Sequence, residues 1–365
     1  GPLTAPWTDL SSGICVTEFY RNAVANGATF CIGGAQDNGT KMVNAGTSTD
    51  LTGGDGMQPL VNFGDPNNIF YCSFQNGAID MTRDAGAHYH SITDTLHSSG
   101  AWVTPYVMHP IDTATIFLGY KNVFITHDNG ISWRAMSPVF DSNSNIEILQ
   151  VAHSNGNYLY AVHPDYNIWK SVLHYTNCFG LYWDTIHVPF NNFISDLAID
   201  PRDENIIHVT VSGYGPDKVW GYNLATGIWN NESGTLPDLP VNCVLIDSAT
   251  HTLYVGTDAA VFYKDTTMTD WALFNTHLPT VHVTDLNINY TTGDLWAATF
   301  GRGMWKTRKA DFPPALGVRA VEKNLLHLYP NPAHGMVSLS TNNSELVNTE
   351  VTVKMLSADG RTELI

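Results

Sequence analysis

The sequence predicts an all-β protein built as a seven-bladed β-propeller, and three observations predict it. Helical periodicity is almost absent, while short alternating or aromatic-rich runs bounded by Gly, Pro, Asn and Asp recur along the whole chain. One strand-turn-strand segment returns seven times, with successive copies roughly 40 to 50 residues apart, the spacing of propeller blades. Charged residues make up only 14% of the 365, below the roughly 25% of ordinary soluble domains, and Gly, Asn, Thr and Tyr take up the difference.

The seven copies span 30–39, 71–77, 116–122, 159–165, 208–214, 253–258 and 295–303. Five of them follow an apolar strand that ends in a polar turn residue, at 106–110, 149–154, 197–201, 244–248 and 286–290. The Asp, Asn or His there caps the turn between a blade's first and second strands. His109 and His153 stand where other copies carry Asp or Asn, which assigns them to turns rather than to a metal.

A third register marks each blade's outer hairpin. Thr126-His-Asp-Asn-Gly-Ile-Ser-Trp133 follows the pattern Ser/Thr-x-Asp-x-Gly-x-x-Trp, and Thr82-Arg-Asp-Ala-Gly-Ala-His-Tyr89 follows it with Tyr for Trp. The residue types have physical reasons: Asp84 and Asp128 accept backbone N–H groups, Gly86 and Gly130 take the left-handed conformation, and Trp133 wedges between sheets. Residues 223–229 and 264–271 read as eroded versions. These residues, Thr126 included, are therefore structural.

The seventh copy runs out at Gly303-Met-Trp-Lys-Thr307 with no outer strand of its own, and Pro6-Trp-Thr-Asp-Leu-Ser-Ser-Gly13 is an outer-strand sequence with no inner strands before it. Residues near 5 to 13 are thus expected to complete the last blade and remove its open edge. The propeller is placed at 5–308, a linker at 309–324 and a separate segment at 325–365.

Gly33-Gly-Ala-Gln-Asp-Asn-Gly39, Gly53-Gly-Asp-Gly56, Gln75-Asn-Gly77, the outer-hairpin pattern and Ala297-Ala-Thr-Phe-Gly-Arg-Gly-Met-Trp305 together resemble the sortilin-type and sialidase-like Asp-box (BNR) propellers of bacterial secreted proteins. That resemblance is specific for fold and poor for function. Leu328-Tyr-Pro-Asn-Pro-Ala333, with alternating strands at 335–339 and 351–360, resembles the start of the C-terminal sorting domain of type IX secretion cargo in Bacteroidetes. It implies an incomplete Ig-like β-sandwich, Tyr329, Pro330, Asn331 and Pro332 as sorting signal, the type IX translocon and its shuttle protein as partners, and a secreted or outer-membrane-surface location.

Composition and motifs exclude several functions. Seventeen basic against 34 acidic residues leave no cationic footprint for nucleic acid. No apolar run is long enough to span a bilayer as a helix. Five widely spaced Cys write neither a disulfide framework nor a metal site, although Cys31 and Cys72 occupy matching places in neighbouring repeats. No cofactor and no metal is implied. A sialidase needs three Arg on the substrate carboxylate, and Arg21, Arg83, Arg134, Arg202, Arg302 and Arg308 do not assemble such a clamp.

Ligands of propellers bind on the face formed by the turns between second and third strands and the blade-to-blade loops. Gln36, Asp37, Asn38, Gln75, Asn76, His163, Asp165, Tyr166, Tyr214, Asp258 and Arg302 are the ligand-binding candidates there. The favoured function is a non-catalytic propeller that binds glycan or protein. The alternative is a glycoside hydrolase similar to the xyloglucanase-type Asp-box enzymes, or one half of one, with Asp37, Asp196 and Asp285 as its carboxylates.

Overall fold

The computed structural model describes residues 16–44 and 46–310, together with the backbone of 327–329, 338–340, 355–356 and 362–363. Contacts divide the chain into two units, 1–311 and 312–365. The described part of the first unit is a seven-bladed β-propeller.

Every blade is a simple antiparallel meander. The first contains β1 (Phe19–Ala23), β2 (Cys31–Ala35), β3 (Gly39–Asn44) and β4 (Thr47–Asp50). The second contains β5 (Leu60–Val61), β6 (Phe70–Ser73), β7 (Ile79–Thr82) and β8 (His90–Ser91), and the third β9 (Tyr106–Met108), β10 (Ile116–Gly119), β11 (Val123–Thr126) and β12 (Arg134–Ala135). The fourth contains β13 (Ile148–Val151), β14 (Leu159–Asp165), β15 (Lys170–Thr176) and β16 (Asp184–Ile186). The fifth has β17 (Ile194–Ile199), β18 (Ile206–Val211), β19 (Val219–Asn223) and β20 (Ile228–Asn231). The sixth has β21 (Val241–Ile246), β22 (Leu253–Thr257), β23 (Val261–Lys264) and β24 (Ala272–Leu273). Among the described residues the seventh has three strands, β25 (His282–Asn289), β26 (Asp294–Phe300) and β27 (Met304–Arg308). Residues 5–13, expected to complete it, lie outside the described residues. In the second unit, β28 (His327–Tyr329) pairs with β29 (Ser338–Ser340) and β30 (Met355–Leu356) with β31 (Thr362–Glu363). Tyr329 ends β28, and Pro330, Asn331 and Pro332 lie outside the described residues.

The seven repeat copies are the second strands. They are the most buried strands because neighbouring blades cover both of their faces. The cores lie between blades: Phe70 with Ile32, Ile79 with Tyr106, Phe117 with Leu159, Tyr160 with Val209, Val219 with Val255 and Tyr254 with Leu286 each join adjacent sheets. The junction between the seventh and first blades has a smaller core of Phe19, Ala35, Ala298 and Met304. Cys31, Cys72 and Cys243 are buried free thiols within this packing.

The turn between first and second strands works as its sequence indicates. Asn62, His109, Asp200, Asp247 and Asn289 each accept two nearby hydrogen bonds that close it. In the fourth blade the cap is Asn155 rather than His153.

The outer hairpins show the expected clip. Thr126 Oγ1 donates to Asp128 Oδ1 at 2.7 Å and accepts from Gly130 N at 2.9 Å, while Asp128 accepts from both the amide and the hydroxyl of Ser132. Thr82, Asp84, Gly86 and His88 repeat it. Gly86 and Gly130 have φ of +92° and +89°, where a Cβ would be strained. A third copy escapes the sequence pattern because Cys178 replaces the Asp: Thr176 Oγ1 contacts Cys178 Sγ and accepts from Gly180 N at 3.0 Å.

The conserved geometry extends to the aromatic. The indole N–H groups of Trp133, Trp183, Trp229 and Trp271 donate to the carbonyls of Ile92, Met136, His187 and Glu232, each just past the outer strand of the preceding blade. Each Trp therefore fills an interblade gap and ties the two sheets with one hydrogen bond. Trp133→Phe removes the bond and part of the bicyclic ring, so it should lower unfolding free energy by at least about 1 kcal/mol. Urea titration measures this, and an unchanged midpoint would show that the tie carries no stability.

Candidate functional site

The sequence-predicted ligand residues lie in or beside the turns between second and third strands. Gln36, Asp37 and Asn38 form the β2–β3 turn, Gln75 and Asn76 the β6–β7 turn, Tyr166 the β14–β15 turn, Tyr214 the β18–β19 turn, Asp258 the β22–β23 turn and Arg302 the β26–β27 turn. Asp37 and Asn76 have φ of 54° and 61°, which suits short polar side chains in tight turns. His163 and Asp165 instead belong to β14, where His163 pairs with Val172 and Asp165 with Lys170. The ladder runs two residues further than the neighbouring copies suggest and draws His163 inside.

His163 is 5% exposed. Its Nδ1 lies 3.0 Å from Ser144 Oγ and its Nε2 3.2 Å from His174 Nε2. Burial, with the His163 ring beside it, pulls the His174 pKa down to about 4. This pair serves the interior, stacked on Phe140.

Two groups of side chains are presented on this face. The first crosses the blades that close the ring. Trp102 Nε1 donates to Tyr20 Oη at 3.1 Å, and Tyr20 Oη donates to Gln36 Oε1 at 2.7 Å. The Tyr20 ring meets Phe300 at 5.8 Å, Phe300 meets His282 at 6.1 Å, and His282 Nδ1 lies 3.8 Å from Asp258 Oδ1, which also accepts from Asn242 Nδ2. Backbone bonds from Asn76 N to Trp102 O and from Gly100 N to Asn76 O hold the Trp102 connection. Gln36, Asn76 and Asp258 were legible candidates; Tyr20, Trp102, His282 and Phe300 were not. The length of the connection between Ser91 and Tyr106 was the one available signal for Trp102.

The second group is an aromatic cluster on the fourth and fifth blades. Tyr166, Trp169 and Phe193 meet edge to face or tilted, with centroids 6.5, 6.2 and 5.9 Å apart. Tyr166 is 56% exposed and Trp169 69%, and Tyr214 on the β18–β19 turn is 68% exposed. Trp169 has φ of 53°, a conformation a bulky residue rarely adopts, and such outliers gather at functional positions. Leaving so much aromatic surface in water forgoes burial that the cores elsewhere take.

On the innermost strands, Arg21, Asp196, Cys243 and Asp285 occupy equivalent positions at β-bulges of β1, β17, β21 and β25. Asp285 accepts from Leu286 N at 3.0 Å and, across the closure, from Asn22 N at 2.9 Å. Asp196 accepts from Leu197 N at 2.9 Å and from Val244 N of the next blade at 3.0 Å. Burial raises both carboxyls, Asp285 to about 6, against the opposing pull of Arg21, whose Nη1 is 3.8 Å from Asp285 Oδ1. Asp196 and Asp285 thus share Arg21 and bind backbone amides, while Asp37 sits on an exposed turn whose amide donates to Asp55. Among the described residues no three His, Cys, Asp or Glu side chains converge as metal ligands. None of the described helices is long and apolar enough to cross a membrane.

Comparison with solved structures places this architecture among seven-bladed β-propellers. The chain is similar to a GH74 xyloglucanase from Xanthomonas campestris, with a TM-score of 0.64 and 14% identity over 82% of this chain and 53% of that one. It is similar to a GH74 enzyme of Niastella koreensis, with a TM-score of 0.64 and 14% identity over 80% and 52%. It also resembles YCF48 from Cyanidioschyzon merolae, with a TM-score of 0.61 and 9% identity over 80% and 96%; YCF48 is also known bound to D1 peptide. The chain spans about half the length of the GH74 proteins. No family model matches it, and no curated protein does.

The raised Asp285 pKa has a definite linkage sign. Between the unfolded value near 4 and the folded value of about 6, the native state holds more protons, so stability falls as pH rises through that window. Relative to Asp285→Asn, the wild-type protein should therefore lose unfolding free energy from pH 4 to pH 6. Urea titrations of both proteins across that range measure the difference, and a flat difference would place the folded pKa near its ordinary value.

Proposed function

We propose that this protein is a non-catalytic binding propeller whose ligand is an uncharged glycan chain laid across Tyr166, Trp169, Phe193 and Tyr214. The observation that carries the reading is the exposed aromatic cluster, with Trp169 held in a left-handed conformation on the face that sequence analysis singled out. Apolar C–H faces of sugar rings stack on such surfaces by dispersion and the ring quadrupole. Asp165 directly precedes Tyr166, and the chain carries a net charge of −17, both of which disfavour an acidic polysaccharide. The fold shared with xyloglucanases supports a polysaccharide as the kind of ligand. We also read the outer hairpins as Asp-box repeats, and residues 325–365 as a type IX sorting segment that sends the protein out of a Bacteroidetes cell. Replacing Asn331 and its flanking prolines should then retain the protein inside the cell.

Affinity electrophoresis against neutral and acidic polysaccharides tests the ligand. Retardation is expected in a neutral glucan or xyloglucan gel, and Trp169→Ala should weaken it about tenfold, ~1.4 kcal/mol, without altering Tm. Binding to peptides but to no glycan would replace the ligand class. Hydrolysis of a glycan, lost in Asp37→Ala or Asp285→Ala, would replace the proposal with the hydrolase reading.

A further inference from the structure

One position on the innermost strands is used differently in the fourth blade. Two residues before the apolar runs that begin at Tyr106, Leu149, Leu197, Val244 and Leu286 stand Thr104, Glu147, Ser195, Asn242 and Thr284. Four of these side chains are engaged within the protein. Thr104 Oγ1 donates to Ala101 O, Ser195 Oγ to Val241 O of the next blade, Asn242 Nδ2 to Asp258 Oδ1, and Thr284 Oγ1 to Phe19 O across the closure. Glu147 is the charged member of the set. It is exposed, and its carboxylate has neither a hydrogen bond nor an ion pair among the described residues. Its amide donates to Val162 O at 2.9 Å, so the main chain of Glu147 serves the blade and the side chain does not.

This carboxylate belongs to the same part of the face as the exposed aromatic cluster. β14, to which Glu147 is hydrogen-bonded, runs on through Asp165 into the turn that carries Tyr166, and Phe193 immediately precedes β17, the inner strand of the adjoining blade. The Tyr166 hydroxyl is held above its ordinary value by partial burial and by the charge of Glu147, so the carboxylate acts on a ring that the cluster presents. Stacking on aromatic rings selects the shape of a sugar and is indifferent to its hydroxyls. Hydroxyls are read by polar groups, and an ionised carboxylate can accept from two of them at once. Asp165, the carboxylate next to Tyr166 in sequence, accepts from Asn167 N within its own turn. Glu147 has both oxygens available.

We propose that Glu147 is the specificity-determining residue of the site at Tyr166, Trp169 and Phe193, where its carboxylate accepts hydrogen bonds from the hydroxyls of a neutral sugar and repels an anionic one. This assignment rests on the glycan reading above and adds the group that distinguishes one glycan from another.

Calorimetric titration of the full chain, Glu147→Gln and Trp169→Ala with a xyloglucan oligosaccharide and with an oligogalacturonate tests it. Glu147→Gln keeps the size of the side chain and removes its charge, so it should weaken xyloglucan binding about tenfold and reduce the preference for xyloglucan over oligogalacturonate by at least about tenfold. Trp169→Ala should weaken both ligands and leave that preference unchanged. Tm of Glu147→Gln should equal that of the unaltered protein, because no internal partner is lost. An unchanged affinity and preference in Glu147→Gln, with Trp169→Ala still weakening xyloglucan, would overturn the role of Glu147 and leave the glycan reading standing. Failure of the unaltered protein to bind any neutral oligosaccharide would overturn the glycan reading and this assignment with it.

Discussion

Closure of the ring between β1 and β25 is the constraint on which the other features depend, because it joins residues more than 260 positions apart. Unlike the other six junctions, this one has a small apolar core and a dense polar seam. Thr284 Oγ1 donates to Phe19 O, Asn287 Nδ2 to Asn22 Oδ1, Asn289 Nδ2 to Ala28 O, and Tyr290 N to Asn26 Oδ1. Directional bonds between these donors and acceptors fix how the first and last sheets meet where the apolar core is small. A ring of seven sheets has no freedom to absorb an error at its last joint.

The other six junctions divide the work differently. Each has its own core, and four carry an indole tie at the rim. The tie spans adjacent blades at a sequence distance close to one repeat, so it forms between segments that are near one another in the chain. Such contacts carry little loop-closure entropy, whereas the seam carries the most. The hydrogen-bonded turns at both ends of the strands further restrict each blade before its neighbours are in place. Local rules thus build the blades, and one long-range seam makes them a ring.

This division explains what was legible in the sequence. Turn residues act within a few positions of themselves, so His109, Asp200, Thr126 and Asp128 could be read from spacing and residue type. Cys178 could not, since the pattern demands an oxygen acceptor where this hairpin keeps only the Thr176 half of the clip. The placing of the candidate residues was legible because turns follow from strand order, and Tyr166, Tyr214, Gln36 and Asp258 lie in the turns between second and third strands. Trp169 and Phe193 were missed because their meeting depends on how the fourth blade stacks on the fifth. Tyr20 and His282 were missed because their contacts pass through the closure. His163 was drawn inward by two extra ladder pairs, which residue type alone does not reveal.

Closure also bears on what chemistry the inner strands can perform. A carboxyl held near pH 6 by burial is what general acid catalysis requires, and Asp285 has that property. A general acid must also turn an oxygen toward substrate. Both oxygens of Asp285 accept backbone amides, one from each side of the closing joint, and Asp196 is committed in the same way between the fifth and sixth blades. Freeing either oxygen would strand a buried amide and loosen a junction. The aromatic side chains of Tyr166, Trp169 and Tyr214, by contrast, are more than half exposed on their turns. Trp169 combines a left-handed backbone with a ring that is 69% exposed and touches the next blade only at its edge, through Phe193, so its strained turn places an aromatic surface at the fourth and fifth blades without burying it.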